Sequence, residues 1–269
     1  ILIKYNFNRG FCLISPLIEL EKTFDNAEYN QGVEIMKKIA ILQSNYIPWK
    51  GVFDMIQQVD IFVFLEDVQY TLRDWRNRNL VLTNSGPKWI TVPVKNNHGK
   101  REMIYEAQID NSSNWQKKHY KSFQMNYAKA PYFKEYKWII EDLYLEKKWS
   151  TISELNIYCT KLIAKVLGIN TQFINSLDLK IDGVKDDKLI GICKKLNADY
   201  YLSGPTARNY IVQEKFEANG VELSYIKYVY PEYRQLQKHF NHHVTILDLI
   251  FNCGENASYY IWGWREKRG

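Results

Sequence analysis

The sequence predicts an α/β fold: a single domain with a mainly parallel sheet that starts strand–helix–strand, a small β insertion and a helical middle region. Three observations lead there. Residues 39–42 (IAIL) and 61–65 (IFVFL) are short, wholly apolar runs of the kind buried on both faces of a parallel sheet. Between them, Val52, Phe53, Ile56 and Val59 recur at helical spacing. A strand, a helix and a strand in that order imply parallel strands joined by a right-handed crossover.

The remaining elements follow in order. The runs NLVLT, KWITVPV and YEAQID in residues 78–110 are separated by NSGP and NNHG, which are turn signals, so a hairpin-like β insertion or an extension of the sheet is expected. Residues 115–167 read as helical. Leu155, Leu162, Ile163 and Val166 share one face of a long helix that Gly168 ends. TQFIN is a strand, DDKLIGICKKLNADYYLSG a helix and then a strand, VELSYIKY a further strand and VTILDLIFN a last helix. Residues 1–35 carry no sustained period before MKKIAILQ. They are expected to be an N-terminal extension, with the domain over 36–254 and a C-terminal tail over 255–269.

The bulk properties narrow the function. An apolar fraction of 46% in 269 residues supports a sizeable core. No apolar run approaches about 18 residues, so no membrane span is expected. The four cysteines, Cys12, Cys159, Cys193 and Cys253, form no C-x-x-C pair, which points to free thiols and a cytoplasmic placement. The charge of +6 is dispersed, so no nucleic-acid partner is expected, and a mildly basic cleft suits a nucleotide-linked sugar. The 20 tyrosines, 8 tryptophans and 12 phenylalanines exceed what a core alone asks for, and several stand in polar loops.

In open parallel sheets, ligands bind outside the carboxyl ends of the strands. The loops in those positions are residues 43–49 (QSNYIPW), 66–70 (EDVQY), the stretch around Ser176, and 203–210 (SGPTARNY). Gln43 offers hydrogen bonds, and Tyr46 and Trp49 offer flat faces, although Pro48 and Trp49 also suit a purely structural role at the start of the helix. In residues 74–79 (DWRNRN), Arg78 is placed to hold a phosphate or carboxylate, or alternatively to pair with Asp67 or Asp74. Ser203, Gly204 and Arg208 resemble an anion nest, although Ser and Thr also simply cap helices. His119 is the candidate general base, with an exposed helix histidine as the alternative. His239, His242 and His243 lack a completing carboxylate, and no metal site is expected. Cys253 has no adjacent base in sequence. There is no Walker loop, G-x-G-x-x-G or G-x-S-x-G, and the sequence names no cofactor.

The stretches IAILQSNYIPWKGVFDMI, VDIFVFLEDVQYTLRDWRNRN, WITVPV, YLSGPTARNYI and ILDLIFNCG together resemble the WbqC-like family of bacterial O-antigen and surface-glycan gene clusters. The likeness spans residues 36–254. It implies a cytoplasmic protein acting on sugar precursors. The residue types it carries over include Gln43, Tyr46, Trp49, Asp67, Gln69, Trp75, Asn77, Arg78, His119, Ser203, Gly204, Tyr210, Asp248 and Asn252. Ser44 departs from it: proline is expected after the glutamine. A weaker likeness of topology links the chain to adenylyl- and cytidylyl-transferases. Their H-x-G-H has Trp49, Lys50, Gly51 and Val52 at the comparable place, without either imidazole.

The expected activity is acyl or aminoacyl transfer to the amine of a nucleotide-linked amino sugar. His119 or Asp67 would be the base. Gln43, Gln69, Asn77, Arg78, Ser203, Gly204, Arg208 and Tyr210 would bind substrate, and Tyr46, Trp49 and Trp75 would stack on it. The alternatives are a nucleotidyltransferase relative relying on Lys50 or Arg78, and a non-catalytic nucleotide-sugar- or glycan-binding protein.

Overall fold

The structure, a computed structural model, describes residues 36–95 and 102–266. The expectation for residues 1–35 lies outside them. A five-stranded sheet forms the centre: β1 (Lys38–Leu42), β2 (Ile61–Phe64), β5 (Gln172–Asn175), β6 (Tyr200–Ser203) and β7 (Glu222–Tyr225), in the order β5-β2-β1-β6-β7. Every pairing in it is parallel. β3 (Arg78–Thr83) and β4 (Gly86–Thr91) form a separate antiparallel pair, the expected insertion. The longer helices are α1 (Lys50–Gln57), α2 (Trp115–Tyr127), α3 (Ile152–Val166), α4 (Lys185–Lys195) and α5 (Ile246–Cys253).

Alternation along the strands divides the core in two, because successive side chains face opposite sides of a sheet. Ala40, Phe62, Phe64 and Leu202 point to one face and meet apolar residues of α1, α2, α3 and α5. Ile39, Ile41, Ile61, Val63, Tyr201 and Leu223 point to the other, against Leu189, Ile190, Ile192 and Cys193 of α4. With both faces covered, the strands need no polar side, which is why they read as continuous apolar runs.

α3 is capped as its sequence allows. Thr151 Oγ1 accepts from the Glu154 N–H at 3.2 Å, and the Glu154 carboxylate returns the bond to the Thr151 N–H. Thr151→Ala is expected to lower stability by about 1 kcal/mol in urea unfolding. An unchanged midpoint would show that the cap contributes nothing. Gly168, at φ +74°, ends the helix segment as expected.

One stretch differs from its expected form. YEAQID does not extend the β insertion: Ile104–Glu106 form a 3₁₀ turn, and beyond it only isolated bridges join Ile109 to Val94 and Gln108 to Thr151. The segment passes between the loop after β2 and the start of α3, and each side offers it one pairing position rather than a strand edge. After α5 the chain continues through a 3₁₀ segment (Gly254–Tyr260) to a short helix (Gly263–Glu266). Ile261 is fully buried, and Arg265 pairs with the buried Asp54 of α1, so this segment packs as part of the body. Among the described residues, no helix is long and apolar enough to cross a membrane.

Candidate functional site

The strand order reverses between β1 and β6: from β1 the chain builds outward to β2 and β5, then returns to β6 and β7 on the other side. The crevice outside the carboxyl ends of those two strands is where such sheets bind ligands. Two groups of residues stand at the carboxyl-end side of the sheet, joined by the loop after β1.

The first group is an aromatic pocket of about 230 Å³, lined by Asn45, Pro48, Trp49, Trp75, Asn79 and His243. Its shape follows from a tightly held loop. Ile47 sits at φ +40°, unusual for a β-branched residue and tolerated only where surroundings over-determine it. Asn79 supplies that restraint, its Nδ2 donating to the carbonyls of Tyr46 (3.0 Å) and Ile47 (2.6 Å). The Tyr46 N–H in turn donates to the Trp75 carbonyl at 2.9 Å, bringing the second tryptophan to the pocket. Trp49 folds back over the start of α1, and only glycine leaves room for it: a Cβ on Gly51 would lie 2.3 Å from the indole. Tyr228 packs edge-on at 4.8 Å on Trp49, and the His243 ring lies 5.6 Å from it. Asn45 Oδ1 is buried with no hydrogen-bond partner.

The second group is polar and centres on Glu66, just beyond β2. Its buried carboxylate accepts from the Ser44 N–H at 3.0 Å and from Ser44 Oγ at 3.1 Å. Burial pushes the Glu66 pKa up, against the opposing pull of Ser153, Ser44 and Arg76. Asn156 of α3 donates to the Arg76 carbonyl at 2.8 Å. Around this centre, Tyr70 Oη, Arg76 Nε and Asn156 Oδ1 are all buried without a partner. Buried polar atoms are almost always paired, so several orphans in one place call for an explanation.

The model of the WbqC-like protein family matches residues 43–260. The chain belongs to the WbqC-like family. The uncharacterized protein Rv1507c of Mycobacterium tuberculosis is 40% identical to it over 227 residues, covering 84% of this WbqC-like chain and 98% of that relative. No solved structure matches.

The expected site residues of this WbqC-like protein fall into distinct places. Trp49 and Trp75 line the pocket. Gln43 is half-buried at the end of β1, with no side-chain hydrogen bond among the described residues. Asp67, its side chain 20% exposed, pairs with Lys188 at 2.6 Å and accepts from Ser176 Oγ. Gln69 is exposed and bridges to Met103. Asn77 is buried and donates to the Val92 carbonyl at 3.0 Å. Arg78 turns away onto Trp89, its guanidinium 4.2 Å from the ring. Ser203 is buried, and its carbonyl accepts from the Ile226 N–H. Gly204 opens a 3₁₀ turn (Pro205–Asn209) whose first residue is proline, so the nest lacks one of its amides. Arg208 lies over Tyr225 at 4.7 Å, and Tyr210 is exposed.

Two expected residues lie in the core. Tyr46 is fully buried, its hydroxyl bonded to His119 Nδ1 at 2.7 Å and to the Tyr144 hydroxyl. His119 also bonds the Thr91 backbone, and burial brings its pKa down to about 4. Both ring nitrogens are thus taken in a neutral imidazole, which holds Tyr46 beneath the loop. Lys50 is buried under Tyr230, Tyr233 and Phe240, with Nζ 5.0, 5.0 and 5.7 Å from the ring centres, and burial lowers its pKa to about 8.

Glu66, Tyr70, Arg76 and Asn156 were not singled out from sequence. Glu66, Tyr70 and Arg76 stood inside the loops already marked, but nothing in a loop's sequence says which side chains turn inward. Asn156 sits on the apolar face of a helix, and an amide interrupting that face is a signal that was there to find. Ser44, where the resemblance led to an expectation of proline, gives Glu66 both an N–H and a hydroxyl; a proline has neither.

Proposed function

We propose that this protein is an enzyme of bacterial surface-polysaccharide precursor biosynthesis that transfers an acyl or aminoacyl group to the amine of a nucleotide-linked amino sugar. The observation that carries the reading is the meeting, at the point where the strand order reverses, of an aromatic pocket and a set of buried polar atoms with no protein partner. Trp49 and Trp75 offer apolar faces to a sugar or base, and Asn45 Oδ1 an acceptor for a hydroxyl. Gln43, half-buried just after β1, makes no side-chain hydrogen bond among the described residues and keeps its donors and acceptor for a ligand. The bacterial glycan setting is the one that the sequence resemblance implies.

In the reaction the sugar amine attacks the acyl carbonyl carbon, a C–N bond forms, the bond to the leaving group breaks, and a base takes the amine proton. Asp67 suits that role better than His119, whose nitrogens are both engaged. The Asp67 carboxylate stands just beyond β2, its side chain 20% exposed and paired with Lys188 at 2.6 Å, which leaves it within reach of a ligand in the crevice.

The test begins with a thermal-shift panel of nucleotide-sugars, acyl thioesters and nucleotides, because a ligand at about 100 times its Kd adds about 2.7 kcal/mol. Mass spectrometry then follows acylation of the stabilising amino sugar. Asp67→Asn is expected to reduce turnover by about 10²–10⁴-fold with the fold intact. Full turnover in that variant removes Asp67 from the chemistry. Tight binding without turnover favours the binding-protein alternative. Stabilisation by a nucleoside triphosphate with release of pyrophosphate favours nucleotidyl transfer.

A further inference from the structure

We propose that Arg76, together with the Tyr70 hydroxyl, binds an oxyanion of the ligand, a carboxylate or a phosphate, at the edge of the crevice between β1 and β6. This rests on the reading that the crevice is the ligand site, and it adds the residue that recognises the ligand's charge.

Three arginines stand close together in residues 73–78, and the structure separates their roles. Arg73 is exposed in a turn at φ +55°. Arg78 lies on the Trp89 ring, its Nε also buried and unpartnered. Arg76 instead faces Glu66 and Tyr70, its side chain 14% exposed. A guanidinium withdrawn from water is costly unless its five donors are used. Among the described residues its one ion pair is Nη1 to Asp74 at 3.0 Å, and Nε has no partner at all.

The surroundings leave that capacity open rather than filling it. Asp74 is already shared, accepting from Thr71 Oγ1 and from the Trp75 N–H. Glu66 lies near enough to interact with the guanidinium, but its carboxylate oxygens are committed to Ser44, and burial favours its neutral form. Tyr70 and Tyr210 are the other groups that interact with Arg76, one from the loop after β2 and one from the turn after β6. The Tyr70 hydroxyl is buried and unpaired. Two donors without acceptors, Arg76 Nε and Tyr70 Oη, thus sit together, and the ligand group that satisfies both is an oxyanion.

The position is also held in advance. Asn156 fixes the Arg76 carbonyl and the Tyr46 N–H fixes the Trp75 carbonyl, so neighbouring residues face the two halves of the site: Trp75 the aromatic pocket, Arg76 the polar centre. Such preorganisation reduces what binding must spend on ordering a long side chain.

The experiment uses the full chain and thermal shift at ionic strength matched with sodium chloride, which screens non-specific attraction equally in each arm. The probes are inorganic pyrophosphate for a phosphate source and glycine and acetate for a carboxylate source. A saturable rise in Tm with one probe class is expected, identifying which group the crevice takes. Arg76→Gln is expected to weaken that probe by about tenfold or more and Tyr70→Phe by a few-fold, with Arg76→Lys intermediate. Lys134→Gln, at an exposed position of the short helix Phe133–Tyr136, removes the same charge as a control. Should Arg76→Gln not fold, Tyr70→Phe and Arg76→Lys decide. The proposal is overturned if neither probe class gives a saturable shift beyond chloride, or if the Arg76 and Tyr70 variants bind as the wild type does. Loss of amino-sugar turnover with the anion shift retained would sink only the transfer reading; turnover without any anion shift would sink only the clamp.

Discussion

Replacing Asp248 by alanine is expected to lower the unfolding free energy by about 3–5 kcal/mol, the range for breaking a buried charged network. Asp248 lies on α5 with no exposed surface, and its carboxylate accepts from Tyr127 Oη at 2.9 Å, Tyr233 Oη at 2.7 Å and Gln235 Nε2 at 2.8 Å. Tyr127 extends the network by accepting from the Leu82 N–H in β3. Burial alone raises the Asp248 pKa, and those three donors with the nearby Lys50 pull it back. Alanine leaves three donors without their shared acceptor, and each unsatisfied donor costs on the order of 1–3 kcal/mol. Because the network ties α5 to α2, to β3 and to the segment carrying Tyr233 and Gln235, the loss is global. Urea unfolding with an unchanged m-value measures it. A change below about 1 kcal/mol would mean that the network is not a source of stability.

His119 is expected to make the protein sensitive to acid between pH 6.5 and 4. Its pKa falls from 6.5 to about 4 on folding because the imidazole is buried, with the nearby Lys118 charge adding to the fall and the bond to the Thr91 backbone opposing it. Above pH 6.5 both the folded and the unfolded states are neutral at this site, and it costs nothing. As the pH falls, the unfolded chain takes up the proton first, so stability is lost down to about pH 4. At 1.36 kcal/mol per pH unit, the loss amounts to about 3 kcal/mol. Carboxylates titrate in the same range, so the reading is the difference between wild type and His119→Gln, whose amide keeps a donor and an acceptor without titrating. The same pair of proteins tests the histidine as a base. A turnover profile whose acid limb disappears in His119→Gln would return His119 to the mechanism; a profile unchanged in shape leaves it as a support for Tyr46.

The comparison of sequence and structure divides by range. The apolar runs of β1 and β2, the helical spacing of α1 and the glycine that ends α3 are local facts, and each was legible because periodicity and backbone freedom act over a few residues. The loops at the strand ends were legible too, once the strands were called parallel. YEAQID failed because a short alternating run becomes a strand only if a partner edge lies alongside it, and here each neighbour offers a single bridge.

The site shows the same division at the level of single side chains. Sequence alone determined that aromatic, amide and basic residues gather after β1 and β2, and it left Trp49 open between a ligand face and a structural role until the structure put Trp49 and Trp75 in one pocket. Only the tertiary structure decided that Arg76 faces the polar centre while Arg78 covers Trp89, that Asp67 is partly open while His119 is sealed in the core, and that Asn156 reaches the crevice from a helix more than a hundred residues after Ser44. The reason is physical. In a helix or strand, the period assigns each side chain to a face. In a loop no period exists, and direction is set by contacts with distant segments, such as the bonds from Asn79 and Asn156, that the local sequence does not contain.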